Sequence, residues 1–232
     1  MTLFYAPNLT SELILPEEES LHAVKVLRLK VGSPIIVVDG IGNYHKAVII
    51  NSHPKHCGFE IIETIHEFGK LPYNLHIAIA PTKNMERLEW FIEKATEIGI
   101  SEITPIICRY SERKVVKEER LEKIIVSAAK QSVKAYFPIL NPTCTFDEFL
   151  KKHTEGNRFI AHCYNQDKNL LKNEVENIKD VIIVIGPEGD FSGEEVENAI
   201  NQGYIPISLG ESRLRTETAA LVACNTVSVM NF

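Results

Sequence analysis

Two short stretches in the last third of the chain hold the residue types that could do chemistry. The first runs Val181-Ile182-Ile183-Val184-Ile185-Gly186-Pro187-Glu188-Gly189-Asp190-Phe191-Ser192-Gly193-Glu194-Glu195. An apolar run of strand length ends in a Gly-Pro-Glu-Gly turn. A helix is then predicted, with Ser192 as N-cap, Glu195 completing a capping box and Gly203 placed to stop it. Ligands of open α/β sheets sit beyond the carboxyl ends of strands, which is where this turn falls. Gly186 and Gly189 carry no Cβ, so the backbone can approach a ligand closely. The turn lacks both the GK[ST] tail of a phosphate loop and the GxGxxG spacing of a dinucleotide site. Glu188 and Asp190 put negative charge where a phosphate would have to lie, so a cationic or zwitterionic ligand fits better. The same residues also read as an ordinary strand-to-helix connection.

The second stretch is Ile207-Ser208-Leu209-Gly210-Glu211-Ser212-Arg213-Leu214-Arg215-Thr216-Glu217-Thr218-Ala219-Ala220. A strand is predicted to end at Gly210. A final Ala- and Val-rich helix begins near Thr216, with Thr216 as N-cap and Glu217 as a favourable first-turn acid. Arg213 and Arg215 stand in the loop just before it, where they are either solvated surface charge or the cationic side of a site. S-adenosylmethionine, with its sulfonium and amino group, has the charge that the first turn favours.

The elements that must hold these two loops follow from periodicity. Leu75 to Ala80, Ile103 to Cys108, Arg158 to Cys163 and Val181 to Ile185 read as strands. Met85, Leu88, Phe91, Ile92, Ala95 and Ile98 have helical spacing and are stopped by Gly99. Leu121, Ile124, Ile125 and Ala128 mark a second helix, and a polar helical stretch is expected between Cys163 and Val181. Such alternation predicts an α/β domain with a mostly parallel sheet and helices on both faces. Residues up to about 70 are β-rich. Pro34 to Val38 and Tyr44 to Ile50 flank an Asp39-Gly40 hairpin loop, and one helix is expected over Glu17 to Leu29. A small β-barrel is the simplest closed form. Phe68-Gly69-Lys70-Leu71-Pro72 reads as the linker, dividing the chain into 1–70 and 71–232.

Composition narrows the function classes. The chain has 232 residues, 44% of them hydrophobic, and a net charge of -6, which argues against indiscriminate coating of nucleic acid but not against a local basic face. No apolar run reaches the roughly 18 residues of a membrane span. Met1 to Leu15 has no signal-peptide pattern, so a cytoplasmic location is expected. Five scattered cysteines with no CxxC pair predict free thiols and neither disulfides nor a metal site.

Taken together, Gly186-Pro187-Glu188-Gly189 and Leu209-Gly210 followed by Leu214-Arg215-Thr216-Glu217-Thr218-Ala219 resemble the SPOUT superfamily of methyltransferases. More narrowly, they are similar to the bacterial ribosomal RNA small-subunit methyltransferase E family, the (uracil-N3)-methyltransferases of 16S rRNA. Trp90 to Ile100, Ser111-Glu112-Arg113 and Gln131-Ser132 fit as well. His22 to Arg28, Gly32 and Asp39-Gly40 fit the family's PUA-like domain, so the resemblance spans nearly the whole chain. Two positions depart from the pattern. Lys130 stands where the family has Glu, and Lys134 where it has Arg, which loses bidentate geometry.

The resemblance implies a trefoil knot in the C-terminal domain, a PUA-like β-barrel for RNA binding at residues 1–70, and a homodimer formed through the knotted domain. It implies S-adenosylmethionine as cofactor, no metal, and 16S rRNA or the small ribosomal subunit as partner. By position, Gly186, Pro187, Glu188, Gly189, Leu209, Gly210 and Leu214 would contact the cofactor, with Ile185 and Thr216 flanking it. His162 either lines the same pocket or is a satisfied core histidine. For transfer to uridine N3, Arg215 and Arg213 are candidates to stabilise charge developing on the uracil, and Glu217 is a candidate base. Lys25, Arg28, Lys30, Arg109, Arg113 and Lys114 are candidate RNA contacts, with Lys117 beside them and Lys130 and Lys134 expected on a helix, and Tyr110 could stack on a base. Other readings are a SPOUT enzyme acting elsewhere, for example on a tRNA ribose, a non-catalytic ribosome-assembly factor, and a nucleotide-dependent α/β enzyme.

Overall fold

The computed structural model describes residues 2–9 and 13–232. Residues 1 and 10–12, part of the stretch read above for a targeting signal, lie outside the described residues. The chain divides into two compact units, Met1–Lys70 with Val126–Phe137, and Leu71–Ile125 with Pro138–Phe232.

In the first unit β1 (Thr2–Tyr5) is followed by α1 (Glu17–Leu21), then β2 (Pro34–Val38), β3 (Tyr44–Asn51) and β4 (Gly58–Ile65). The strands hydrogen-bond in the order β1-β2-β3-β4. The β1–β2 pair is parallel and the other two are antiparallel. The β2–β3 hairpin forms as expected. Its loop is held by Asp39, whose Oδ1 accepts from the N–H of Ile41 at 2.9 Å and of Asn43 at 3.1 Å. The single helix expected over Glu17 to Leu29 is instead a short α-helix continuing into a π-helical turn, His22–Val26, and Arg28 then takes a left-handed φ of 56°. That wider turn still buries Ala23 against Phe4, Leu15, Ile35 and Phe59.

Residues 126–137 complete this unit. The Gly42 N–H donates to the Ala135 carbonyl at 3.0 Å and the Phe137 N–H to the Gly40 carbonyl at 2.9 Å. The rings of Tyr5 and Phe137 stack 4.5 Å apart. Gly42 is required here: its φ is +107°, and a Cβ would fall 2.3 Å from the Tyr136 ring. Lys130, a candidate RNA contact above, is committed internally to Glu19 at 2.5 Å.

The second unit contains β5 (Asn74–Ile79), α2 (Met85–Ile98), β6 (Glu102–Ile107), the start of α3 (Glu118–Gln131), β7 (Ile139–Leu140), β8 (Cys144–Thr145), α4 (Phe146–Lys152), β9 (Asn157–Ala161), β10 (Asn169–Leu170), α5 (Leu171–Glu174), β11 (Asp180–Ile185), α6 (Gly193–Asn201), β12 (Ile205–Ser208) and α7 (Thr216–Asn231). Its sheet runs β10-β12-β9-β11-β5-β6-β7, with β8 also on β6, and every described pair is parallel. Central β11 is apolar almost throughout because both its faces are covered. Ile182 and Val184 meet Phe146, Phe149 and Leu150 of α4 and Val196 and Ala199 of α6. Alternation sends Val181, Ile183 and Ile185 to the opposite face, and α7 packs there against α2, β5 and β11.

Three expectations are corrected. The polar stretch after Cys163 is not a long helix, since only four residues, Leu171–Glu174, are helical. Helix α4, unforeseen, starts at a capping box between Thr145 and Glu148. Lys134 lies beyond the end of α3 and not on it. Among the described residues no helix is long and apolar enough to cross a membrane, and no cluster of side chains could hold a metal.

One buried histidine makes stability depend on pH. His76 on β5 lies 2.7 Å from the Thr104 hydroxyl and 3.8 Å from Glu102, with the His153 ring 4.9 Å away. Burial holds its imidazole down to about 4 from the ordinary 6.5; Glu102 opposes the shift, and His153 and Lys152 add to it. The unfolded chain therefore takes up a proton that the folded chain resists, and stability falls as pH drops from 6.5 towards 4. Chemical denaturation across that range should show a His76-dependent loss of up to roughly 3 kcal/mol. An equally steep dependence in His76→Gln would disprove it.

Candidate active site

Parallel pairing decides where this site lies. Ala161 at the end of β9 pairs with both Ile185 of β11 and Ile207 of β12, so three neighbouring strands end at one edge of the sheet. The loops leaving them, 162–168, 186–192 and 209–215, converge on a two-lobed recess.

One lobe, of about 390 Å³, is lined by Ile185, Gly186, Pro187, Glu188 and Asp190 from the β11 loop and by Arg213, Leu214, Arg215 and Thr216 from the β12 loop. The other, of about 500 Å³, is lined by Leu209, Gly210 and Leu214 together with His162, Tyr164 and Lys168. Ala161, Cys163, Arg213, Leu214 and Ala219 face both. Of the catalytic and cofactor candidates read from the sequence, Gly189 and Glu217 stay out of the recess.

The β11 loop is fixed by its own side chains. Glu188 Oε1 accepts from the Lys83 N–H at 2.9 Å. Asp190 sits at a left-handed φ of 65°, and its carboxylate accepts from the N–H groups of Cys163 and Phe191 at 2.8 and 2.9 Å. Ser192 and Glu195 form the expected reciprocal cap on α6. The two glycines act differently from expectation. A Cβ on Gly186 would come 3.0 Å from the Phe191 ring, and one on Gly189 would come 3.1 Å from Tyr110 Cβ. The close approach at both is made by the protein's own side chains. Gly210, by contrast, adopts φ +131° with open space beside it, a conformation closed to other residues.

In the β12 loop, Arg213 and Arg215 are exposed; among the described residues neither meets a carboxylate partner. The cap of α7 is Arg215, with no side-chain bond, and not Thr216, which is the first helical residue, so the helix begins one residue earlier than expected. Glu217 is buried with its Oε1 3.8 Å from Arg87 Nε on α2, and its Oε2 has no partner.

The β9 loop is the wall that sequence reasoning found only in part, through His162. Lys168 Nζ donates to the carbonyls of His162 and Tyr164 at 2.6 and 2.9 Å, and the Tyr164 hydroxyl donates to the Phe191 carbonyl at 2.9 Å. His162 is buried, yet neither ring nitrogen has a partner, so it is not a satisfied core histidine. Burial, aided by the Lys168 charge and opposed by Asp190, lowers its pKa. The ring is therefore neutral near pH 7 and offers one donor and one acceptor.

Candidate RNA contacts are dispersed. Lys25, Arg28 and Lys30 are exposed in the first unit, and Arg113 and Lys114 in the second. Arg109 is committed to Glu194 at 2.5 Å, with its N–H on Glu195, and is removed as a free phosphate contact.

Two outcomes test this geometry. Ser192→Ala should cost about 1 kcal/mol in denaturant titration, and no loss would mean that the cap does not hold the loop. The His162 ring protons should titrate below the ordinary 6.5 by NMR; a midpoint at or above it would contradict the burial argument.

Comparison with known proteins matches residues 69–228 to an RNA methyltransferase domain and residues 15–62 to an RNA methyltransferase PUA domain. Ribosomal RNA small subunit methyltransferase E of Rickettsia conorii is 31% identical over 95% of this chain and 91% of its own length. The crystal structure of a "probable rRNA-methyltransferase" from Porphyromonas gingivalis superposes with a TM-score of 0.93 at 40% identity, covering 100% of this chain and 98% of that one. Ribosomal RNA small subunit methyltransferase E from Neisseria gonorrhoeae, solved bound to S-adenosyl methionine, gives a TM-score of 0.83 at 28% identity, covering 97% and 95%.

Proposed function

The chain belongs to the ribosomal RNA small subunit methyltransferase E family, and on that premise we propose that it methylates N3 of a uridine in 16S ribosomal RNA, using S-adenosylmethionine. The observation that carries this reading is the convergence of three strand-end loops on one recess that combines apolar walls, unpaired arginines and a neutral buried histidine.

The recess fits such a cofactor. Its lobes have the volume of a small-molecule site, Leu209 and Leu214 provide apolar surface, and the orphaned His162 nitrogens await polar partners. Ile185, Gly186, Pro187, Leu209, Gly210, Leu214 and Thr216 would hold the group, and Glu188 and Asp190 bring negative charge to the rim of the lobe. When bound, the cofactor supplies a methyl group already activated on a sulfonium. The chain has to align the acceptor and accommodate the charge left when N3 loses its proton. Arg213 and Arg215 suit that second task because, among the described residues, no carboxylate pairs with them. Glu217, buried beside Arg87 and outside the recess, is better assigned to positioning the start of α7 than to proton abstraction.

Further parts of the reading rest on the family. Residues 1–70, completed by 126–137, form the PUA-like RNA-binding domain, with Lys25, Arg28 and Lys30 towards RNA, and the rest of 71–232 forms the catalytic domain. The passage from β12 back to α2 and β5 is read as a trefoil knot. Two copies pair through the knotted domain, for which exposed Trp90 on α2 and Val229 on α7 provide apolar surface. With rRNA as its substrate, the protein acts in the cytoplasm.

Arg215→Ala should lower kcat about 100-fold or more while cofactor affinity by calorimetry changes only a few-fold; normal turnover would remove Arg215 from the mechanism. Mass spectrometry of 16S rRNA nucleosides should show N3-methyluridine lost in a deletion strain and restored by complementation. An unchanged N3-methyluridine level, with another methylated nucleoside lost instead, would overturn the N3 assignment.

A further inference from the structure

A second groove, of about 380 Å³, opens where α2 and α3 begin, and its walls include Lys83, Arg113, Lys117 and Arg120 against Glu86 and Glu89. Most of these charges are already spent. Arg120 is paired with Glu89 at 2.5 Å, and Lys83 with Glu112 at 2.8 Å. Arg113 is different. Its Nε and Nη2 both donate to the Lys83 carbonyl, at 3.3 and 3.2 Å, which fixes the plane of the guanidinium without cancelling its charge. Among the described residues neither Arg113 nor Lys117 meets a carboxylate. In a chain of net charge -6, two cations without an ion pair, one of them held in place by backbone, outnumber Glu86, the one wall carboxylate with no ion pair among the described residues, and make a local anion site.

The groove is also tied to the reaction centre. Lys83, whose carbonyl holds Arg113, donates its own N–H to Glu188 in the lobe where Arg215 lies. An anion seated here is therefore one backbone residue away from the bend that borders the recess. We propose that this groove binds a backbone phosphodiester of the RNA substrate, next to the target nucleotide, with Arg113 and Lys117 as its ligands. A phosphodiester suits the pair: its two non-bridging oxygens accept the fork of a guanidinium, and an ammonium adds a second charge. The inference rests on an RNA substrate but not on which atom is methylated.

The test uses the full-length protein and a 16S rRNA transcript, with affinity measured across a salt series. Arg113→Ala/Lys117→Ala should lower the salt slope by roughly 0.7 for each phosphate left unneutralised and raise KM for RNA by about tenfold or more, while S-adenosylmethionine affinity stays at the wild-type value. Arg113→Lys/Lys117→Arg, which keeps the charge, should retain the wild-type slope. An alanine variant with the wild-type slope and KM would overturn the proposal. A salt slope lowered to the same extent in the charge-keeping variant would also overturn it, by making the role structural. Methylation at another nucleobase atom would sink the N3 reading and leave this one standing.

Discussion

Parallel pairing of β9, β11 and β12 is the constraint from which the rest of the site follows. Parallel strands all exit on the same side, so their following loops are forced together whatever their sequences. The cost is that each strand must be covered on both faces, and the apolar runs of β5 and β11 meet that demand, with α4 and α6 on one side and α2 and α7 on the other. Their rigidity is then lent to the loops. Asp190 bonded to Cys163, Tyr164 bonded to Phe191 and Glu188 bonded to Lys83 tie the β11 loop to its neighbours by short hydrogen bonds. Little reorganisation is left for the moment of reaction, and that preorganisation is the usual source of electrostatic catalysis.

Charge is distributed with the same economy. Of the basic residues around the second unit, many are matched one to one by acids, as in Arg109 with Glu194 and Arg120 with Glu89. Surface pairs of this kind add little stability, but they remove cations from circulation. Among the described residues, Arg213 and Arg215 in the recess and Arg113 and Lys117 in the adjoining groove are left without a carboxylate partner. The recess and that groove thus carry local positive charge within an acidic chain.

The local grammar of the chain is readable where one segment suffices. Ser192 and Glu195 announce α6, Gly99 announces the end of α2, and the Asp39-Gly40 loop announces the β2–β3 hairpin. Both of these recess-lining loops can be found because a strand pattern ends in glycine at each. Thr145-Phe146-Asp147-Glu148 carries an equally clear capping box for α4, but the helix that follows is only two turns long and its apolar spacing is too brief to stand out. Other features depend on distant parts of the chain. Nothing in residues 162–168 says that β9 lies between β11 and β12, so the third wall of the recess is glimpsed only through His162. The widening of the helix at His22–Val26 leaves no signature in apolar spacing, and the roles of Gly186 and Gly189 become visible only with Phe191 and Tyr110 beside them.

The membership of Val126–Phe137 in the first unit has a consequence for modularity. The chain passes between the two units three times, after Lys70, after Ile125 and after Phe137, so neither is a simple bead on a string. Leu3, Ile36 and Val38 close against Ala135, and Tyr5 against Phe137; an N-terminal fragment cut at the linker would bare that apolar face to water. Fusion, shuffling or inheritance of the small module by another enzyme would therefore have to carry a dozen residues from the middle of the larger one.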